Sequence, residues 1–225
     1  INGATYTGAT NKKGVVLFKT NISSRGTYTA DLSYGGNSKY AKSSLTQKVK
    51  VLHSVVGSDL EKVYGVTSVF QATFYKNDVA LANTEVSFKI GKKTYKRVTD
   101  SNGVAKLNVG LFPGKYTIES YNPYSKETVS HKIVVKKEGT KLTSKGKTYV
   151  PANKKYSFKV VLKSNHGALL KNKKVSFTLN NTKVTSKTNA KGEAKFTIPV
   201  LAKGVYKIKF KFDGNKNFYS DSGSA

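Results

Sequence analysis

A segment of about twenty residues occurs three times in this chain at nearly constant spacing. Residues 99–118 read TDSNGVAKLNVGLFPGKYTI, residues 10–30 read TNKKGVVLFKTNISSRGTYTA, and residues 188–208 read TNAKGEAKFTIPVLAKGVYKI. Gly14, Gly103 and Gly192 stand 89 residues apart, as do Tyr6 and Tyr95, while Tyr34 and Phe212 are separated by twice that, 178. A fixed period of this size makes each unit one folding module stacked on its neighbours. Whatever fold the chain takes, it is an array of like parts.

Within the unit, an Asn/Asp-x-x-Gly turn is followed by alternation: Val104, Lys106 and Asn108 fall on one side, Ala105, Leu107 and Val109 on the other. Period-two alternation is the mark of a half-buried strand. Gly14, Gly103 and Gly192 close the turn, where a positive φ is expected and a residue without Cβ adopts it at little cost. Asp100 has Asn11 and Asn189 as counterparts. A position that accepts either residue fits an Asx turn, which needs only their shared acceptor oxygen. A second turn ends in Gly26, Gly114 or Gly204, and Tyr28, Tyr116 or Tyr206 opens the next strand. These tyrosines suit a tyrosine corner, in which the phenol bonds back to the preceding loop; an ordinary strand tyrosine is the other reading.

No stretch carries a helical apolar stripe of useful length, so the chain reads as all-β. At 225 residues with an 89-residue period, it fits tandem immunoglobulin-like β-sandwiches of about seven strands each, beads on a string. With strands lettered A to G, residues 1–52 supply only the C-terminal part of a unit: D (4–9), E (15–18), F (26–34) and G (43–51). Residues 53–137 form a complete unit, with B at 67–75, C at 85–90, D at 94–99 and G at 128–135, joined to the next by the short segment 136–139. Residues 138–225 repeat the plan with B at 156–163, C at 174–179, D at 183–188, E at 193–198 and F at 204–212, and are expected to lack the last strand. Two accounts of the open ends stand: a piece of a longer array, or strands exchanged between molecules to build a filament through unpaired edges.

Cysteine is absent, so no disulfide staples these cores and apolar packing alone must hold them. The formal charge is +28, and only Arg25 and Arg97 among the 40 basic residues are arginine. Lysine is a hydrated point charge without the planar fork used to read base edges, so specific nucleic-acid recognition is not expected. The lysines either keep strands soluble and discourage edge pairing, or attract a polyanion such as an acidic cell-wall polymer or host glycan. No run of eighteen apolar residues occurs and Ile1 does not begin a signal peptide, so signals for export and anchoring are expected outside this segment.

Reactive constellations are missing. His53, His131 and His166 fall at unrelated places in the repeats and are expected to be solvated or incidental. The twelve carboxylates are scattered without the clustering that calcium needs, and no phosphate-cradling glycine motif occurs. No catalytic residue, cofactor or metal site is therefore assigned. Aromatic residues crowd segments 34–40, 121–124 and 218–219, where they either pack on a neighbouring repeat or stack on carbohydrate. Asn21 and Asn180 begin N-x-Ser/Thr sequons, acceptors of N-glycans on an exported protein.

The segments LANTEVSF (81–88) and LKNKKVSF (170–177), followed by Thr-Asp/Asn-x-x-Gly-x-Ala and Gly-x-Tyr-x-Ile, resemble bacterial immunoglobulin-like domains of the invasin and intimin type. In their Lys-, Asn- and Tyr-rich form they most resemble tandem repeats of adhesin-like surface proteins from methanogenic archaea. The resemblance spans nearly all of the chain. It implies an extracellular, cell-surface array acting as a stalk or adhesive surface, without catalysis. The Thr-Asp-x-x-Gly turn is also similar to that of collagen-adhesin B-type modules, which carry a glutamate-assisted Lys–Asn crosslink. The acid position of that family falls here on Leu32, Ser120 and Phe210, so no crosslink is expected; Glu119 is one residue out of register and so faces the other side of its strand.

Overall fold

The computed structural model describes residues 1–22, 26–145 and 154–225, and among these every regular element is a β-strand. Residues 26–51 form one hairpin, β1 (Gly26–Tyr34) against β2 (Ser43–Val51). Two β-sandwiches follow.

In the first sandwich, β3 (Val55–Gly57) and β4 (Leu60–Val63) divide one strand between two layers. β3 pairs antiparallel with β5 (Val69–Lys76), which also carries β6 (Val79–Ala80) and β9 (Val104–Asn108). The facing layer has the order β4, β11 (Thr128–Lys136), β10 (Gly114–Tyr121), β7 (Glu85–Ile90), β8 (Lys93–Val98), with β4 parallel to β11. The alternation seen in sequence sorts the side chains. On β7, Val86, Phe88 and Ile90 turn into the core, while Glu85 and Lys89 are exposed. Phe70 and Phe74 from the opposite layer meet Phe88 at centroid distances of 5.5 and 6.0 Å. Each such buried ring contributes about 1.5–3 kcal/mol by leaving water.

The second sandwich repeats this with β12 (Thr140–Ser144), β13 (Tyr156–Ser164) and β16 (Glu193–Ile198) in one layer. Its other layer has the order β15 (Thr182–Lys187), β14 (Lys174–Leu179), β17 (Lys209–Phe212), β18 (Asp221–Ser224). Phe177 and Phe196 stack across the core at 5.2 Å, and Phe158 meets Phe177 edge-on at 6.3 Å.

Both sandwiches keep the strand after C beside C, where a constant-type immunoglobulin domain would send it to the other sheet. The turns decide this. Asn180 and Asn181 alone join β14 to β15, both at positive φ (46° and 63°), the backbone of a two-residue hairpin that leaves no chain for a crossover.

Three sequence expectations are corrected. Segments 4–9 and 15–18 form no strands. Strands E and D of a complete unit lean on B and C, as β9 does on β5 and β8 on β7, and residues 1–52 contain neither partner. The unit at 138–225 does have a closing strand: β18 pairs with β17 from Lys209↔Ser224 to Phe212↔Asp221. Its Ser/Gly-rich sequence, DSGS, carries no apolar alternation by which to be read. Lastly, strand F of that unit begins at Lys209 rather than 204, with Ile208 and Ala225 exchanging backbone hydrogen bonds just before it.

Candidate functional site

The repeated turn is built alike in all three copies. The Oδ1 atoms of Asn11, Asp100 and Asn189 each accept from the backbone N–H two and four residues on, at 2.8–3.1 Å. Gly14, Gly103 and Gly192 close it at φ 74°, 73° and 68°. In the two sandwiches the glycine carbonyl then accepts from strand B, Gly103 from Phe74 N–H and Gly192 from Leu162 N–H, both at 2.8 Å. Buried Thr99 and Thr188 complete the lock: their hydroxyls donate to the Leu81 and Leu170 carbonyls and accept from the Thr84 and Lys173 N–H groups. The Tyr116 and Tyr206 phenols donate to the carbonyls of Phe112 and Ala202, four residues back, at 3.0 and 3.1 Å, which is corner geometry. Tyr28 packs its ring over Gly26 as those two pack over Gly114 and Gly204; the residue four before it, Ser24, lies outside the described residues. These positions hold strands together.

His166 is exposed, as expected, whereas His53 and His131 are half-buried. His53 Nδ1 lies 2.6 Å from Glu127 Oε1, and His166 Nδ1 lies 2.7 Å from Glu138 Oε1. His131 packs against Phe70 at 5.6 Å. Among the described residues, no group of three or more His, Asp or Glu is placed to hold a metal ion. Asn180 is exposed in its tight turn, and Asn21 is exposed as well, though Ser23 of its sequon lies outside the described residues.

What the structure does assemble is a joint between the two sandwiches. Tyr64, just beyond β4, stacks on Phe112 of the first sandwich at 5.8 Å and meets Phe218 of the second edge-on at 5.6 Å. Lys216 Nζ sits 5.3 Å over the Phe112 ring, and Lys173 Nζ 5.4 Å over Phe218. Glu138, in the connecting segment, is gripped on its backbone by the loop before β18: its N–H donates to Asn217 O and its carbonyl accepts from Tyr219 N–H. Its carboxylate accepts from His166 N–H at 3.2 Å and lies against Gly65, where any Cβ would come within 2.9 Å of Oε2. The first sandwich holds its own entering chain similarly. Glu127 accepts from Ser54 N–H at 2.6 Å and from its hydroxyl at 2.7 Å, while buried Asn122 donates to the Ser54 and Tyr75 carbonyls.

Burial pulls the Glu138 carboxyl upward, but hydrogen bonds from His166 and Ser164 outweigh it and hold the group below its usual value. A depressed carboxylate gives stability that is fully present above the unfolded value, about 4.3, and is lost as pH falls through the lower folded value. Thermal melts between pH 6 and pH 3 should therefore fall more steeply for the native chain than for Glu138→Gln, which has no charge there to lose. Parallel curves would remove Glu138 from the acid response.

Sequence reading pointed at the aromatic loops but missed Tyr64, Phe112 and Glu138 as partners. A signal existed for Phe112, which breaks the repeat where Ser24 and Ala202 stand, and for Glu138, the lone acid of its connecting segment.

No family model matches the chain, and no curated protein matches it. Among solved structures it is similar to the D0-D1 domain of intimin, at 19% identity and TM-score 0.31 over 76% of this chain and 96% of that one. It is also similar to the fibronectin(III)-like modules of Clostridium thermocellum CbhA, at 17% identity and TM-score 0.28 over 76% and 92%. A third likeness is to the Yersinia pseudotuberculosis adhesin InvE, at 12% identity and TM-score 0.34 over 76% and 56%. Likenesses this distant establish neither a family nor a function, and the chain stands as tandem β-sandwiches on its own strand order and cores.

Proposed function

We propose that this chain is a non-catalytic stretch of a cell-surface, adhesin-like stalk, in which sandwich modules are joined end to end so that the array holds a distal surface away from the cell. The observation that carries this reading is the joint. A flexible string of beads needs only a polar linker, whereas here Tyr64 is shared between two modules and the connecting Glu138 is bonded on its backbone and its carboxylate. In the proposed division, residues 1–52 belong to one module, 53–137 to a second and 138–225 to a third, the third being fixed on the second through this joint. The repeated glycines and tyrosines fit this role, since they serve strand packing. Surface location is tested by antibody against residues 53–225 applied to intact cells that make the protein. Labelling of intact cells, abolished by brief external protease, is the expected result; labelling only after permeabilisation would contradict it.

A further inference from the structure

The outer face of the layer β15-β14-β17-β18 is strongly basic. It presents Lys174 from β14, Lys183 and Lys187 from β15, Lys209 and Lys211 from β17, and Lys207 just before β17. Register places them in rows with hydroxyls: Thr185, Ser176, Lys211 and Ser222 lie across the sheet in one row, and Lys183, Thr178, Lys209 and Ser224 in the next. Lys174 stands directly opposite Lys187, a like-charge pair that destabilises a sheet. Among the described residues the one carboxylate on this face is Asp213, 2.7 Å from Lys211. Asp213 is held below its usual value first by Lys211, with Lys183 and Lys174 adding to the effect. A shallow groove of about 360 Å³ runs here beside Lys174, Lys183 and Asp213.

The corresponding face of the first sandwich shows that the fold does not require this. There Lys89 pairs with Glu119 at 3.2 Å, Lys96 with Glu85 at 2.8 Å, and Lys136 with Glu61. The repeat aligns Glu85 with Lys174 and Glu119 with Lys209, so both positions reverse their charge; Thr94, Val98 and Tyr121 likewise give way to Lys183, Lys187 and Lys211. Edge protection explains lysines on β15, but β14 and β17 are interior strands, paired on both sides. Something other than solubility places Lys174 and Lys209 on them without a carboxylate partner among the described residues.

We propose that this face binds a linear anionic polysaccharide. Adjacent strands lie about 4.8 Å apart and alternate residues along a strand about 6.7 Å apart, so Lys183 and Lys209 stand about 9.6 Å apart across Thr178 and Lys209 stands about 6.7 Å from Lys211. A polymer lying on the sheet meets ammonium groups at that spacing, and serine and threonine hydroxyls between them that both donate to and accept from sugar hydroxyls. Nucleic acid is the poorer fit. Single strands are held by stacking on aromatic side chains, and among the described residues this face presents none, lysine replacing Tyr121 at position 211. Base-edge readout favours the arginine fork, and no arginine lies on this face among the described residues. The inference does not rest on the stalk reading, since the face belongs to one module.

The test is calorimetric titration of the full chain with heparin, with polygalacturonate and with poly(dT) at about 50 and 200 mM salt, since charge-driven binding weakens steeply across that range. Two triple variants carry the same change in net charge: Lys183→Gln, Lys209→Gln, Lys211→Gln on this face, and Lys89→Gln, Lys96→Gln, Lys136→Gln on the first sandwich. All six side chains are exposed, so circular dichroism should show both variants folded. The expected result is that the first triple weakens binding of either glycan by about tenfold or more at 50 mM salt and flattens its salt dependence, because contacts that release counterions are removed. The second triple is expected to change affinity by less than about threefold, and Asp213→Asn to tighten it. Equal weakening by the two triples would overturn the proposal, as would no binding of either glycan at 50 mM salt, or tighter binding of poly(dT) than of both glycans.

Discussion

Replacing Gly192 or Gly103 by alanine should destabilise the sandwich that contains it by about 3 kcal/mol or more, while the same change at Gly14 should cost only about 1 kcal/mol. The shared part is conformational: all three have φ near 70°, where a Cβ costs about 1–2 kcal/mol. The difference is what a Cβ would meet. At Gly103 it falls 2.6 Å from Phe74 O, and at Gly192 2.6 Å from Leu162 O, backbone atoms of a paired central strand that cannot step aside. At Gly14 nothing lies within 4 Å. Three kcal/mol in a module of this size corresponds to a fall in Tm of about 12–24 °C, easily read by circular dichroism. Equal, small losses at all three positions would show that the glycine is needed for φ alone and that strand B does not press on the turn.

The second large effect is at the joint. Phe218 is buried in the core of the second sandwich and carries the edge-on contact to Tyr64, so Phe218→Ala should lower that module by about 3–4 kcal/mol. Tyr64→Ala is the more informative change. The ring touches both cores without being central to either, and its two aromatic contacts are together worth about 1–3 kcal/mol beyond the area they bury. Calorimetry should show the melting of the two sandwiches, coupled in the native chain, separate into two transitions in Tyr64→Ala, and small-angle scattering should report a broader range of inter-module angles. A single unchanged transition would mean that the Glu138 clamp alone couples the modules, and the aromatic joint would lose its role in the stalk.

Much of this molecule was legible as text, and the reasons are local. Alternation on β7 and β14 follows from the period-two pleat, so VSFKI and VSFTL could be sorted into core and solvent residues before any partner was known. The Asx-Gly turn is equally local, because Asp100 bonds only two and four residues ahead. The failures share a different cause. Segments 4–9 and 15–18 have the same pattern as strands that form elsewhere, but a strand exists only where a neighbour offers its backbone, and here none does. β18 is the converse, a sequence with little strand character that is held because β17 stands ready beside it.

The charge tells the same story at the surface. Composition alone announced a basic protein. Only register distinguishes the lysines that face glutamates, such as Lys89 and Lys96, from those that face one another across β14 and β15. What the chain by itself determined was therefore everything within reach of a few residues: the repeat, the turns, the strand faces and the all-β class. Which strands found partners, where Tyr64 and Glu138 came to rest, and which lysines were left without counter-charges were decided by tertiary structure alone, because each depends on backbone or side chains brought together from distant parts of the sequence.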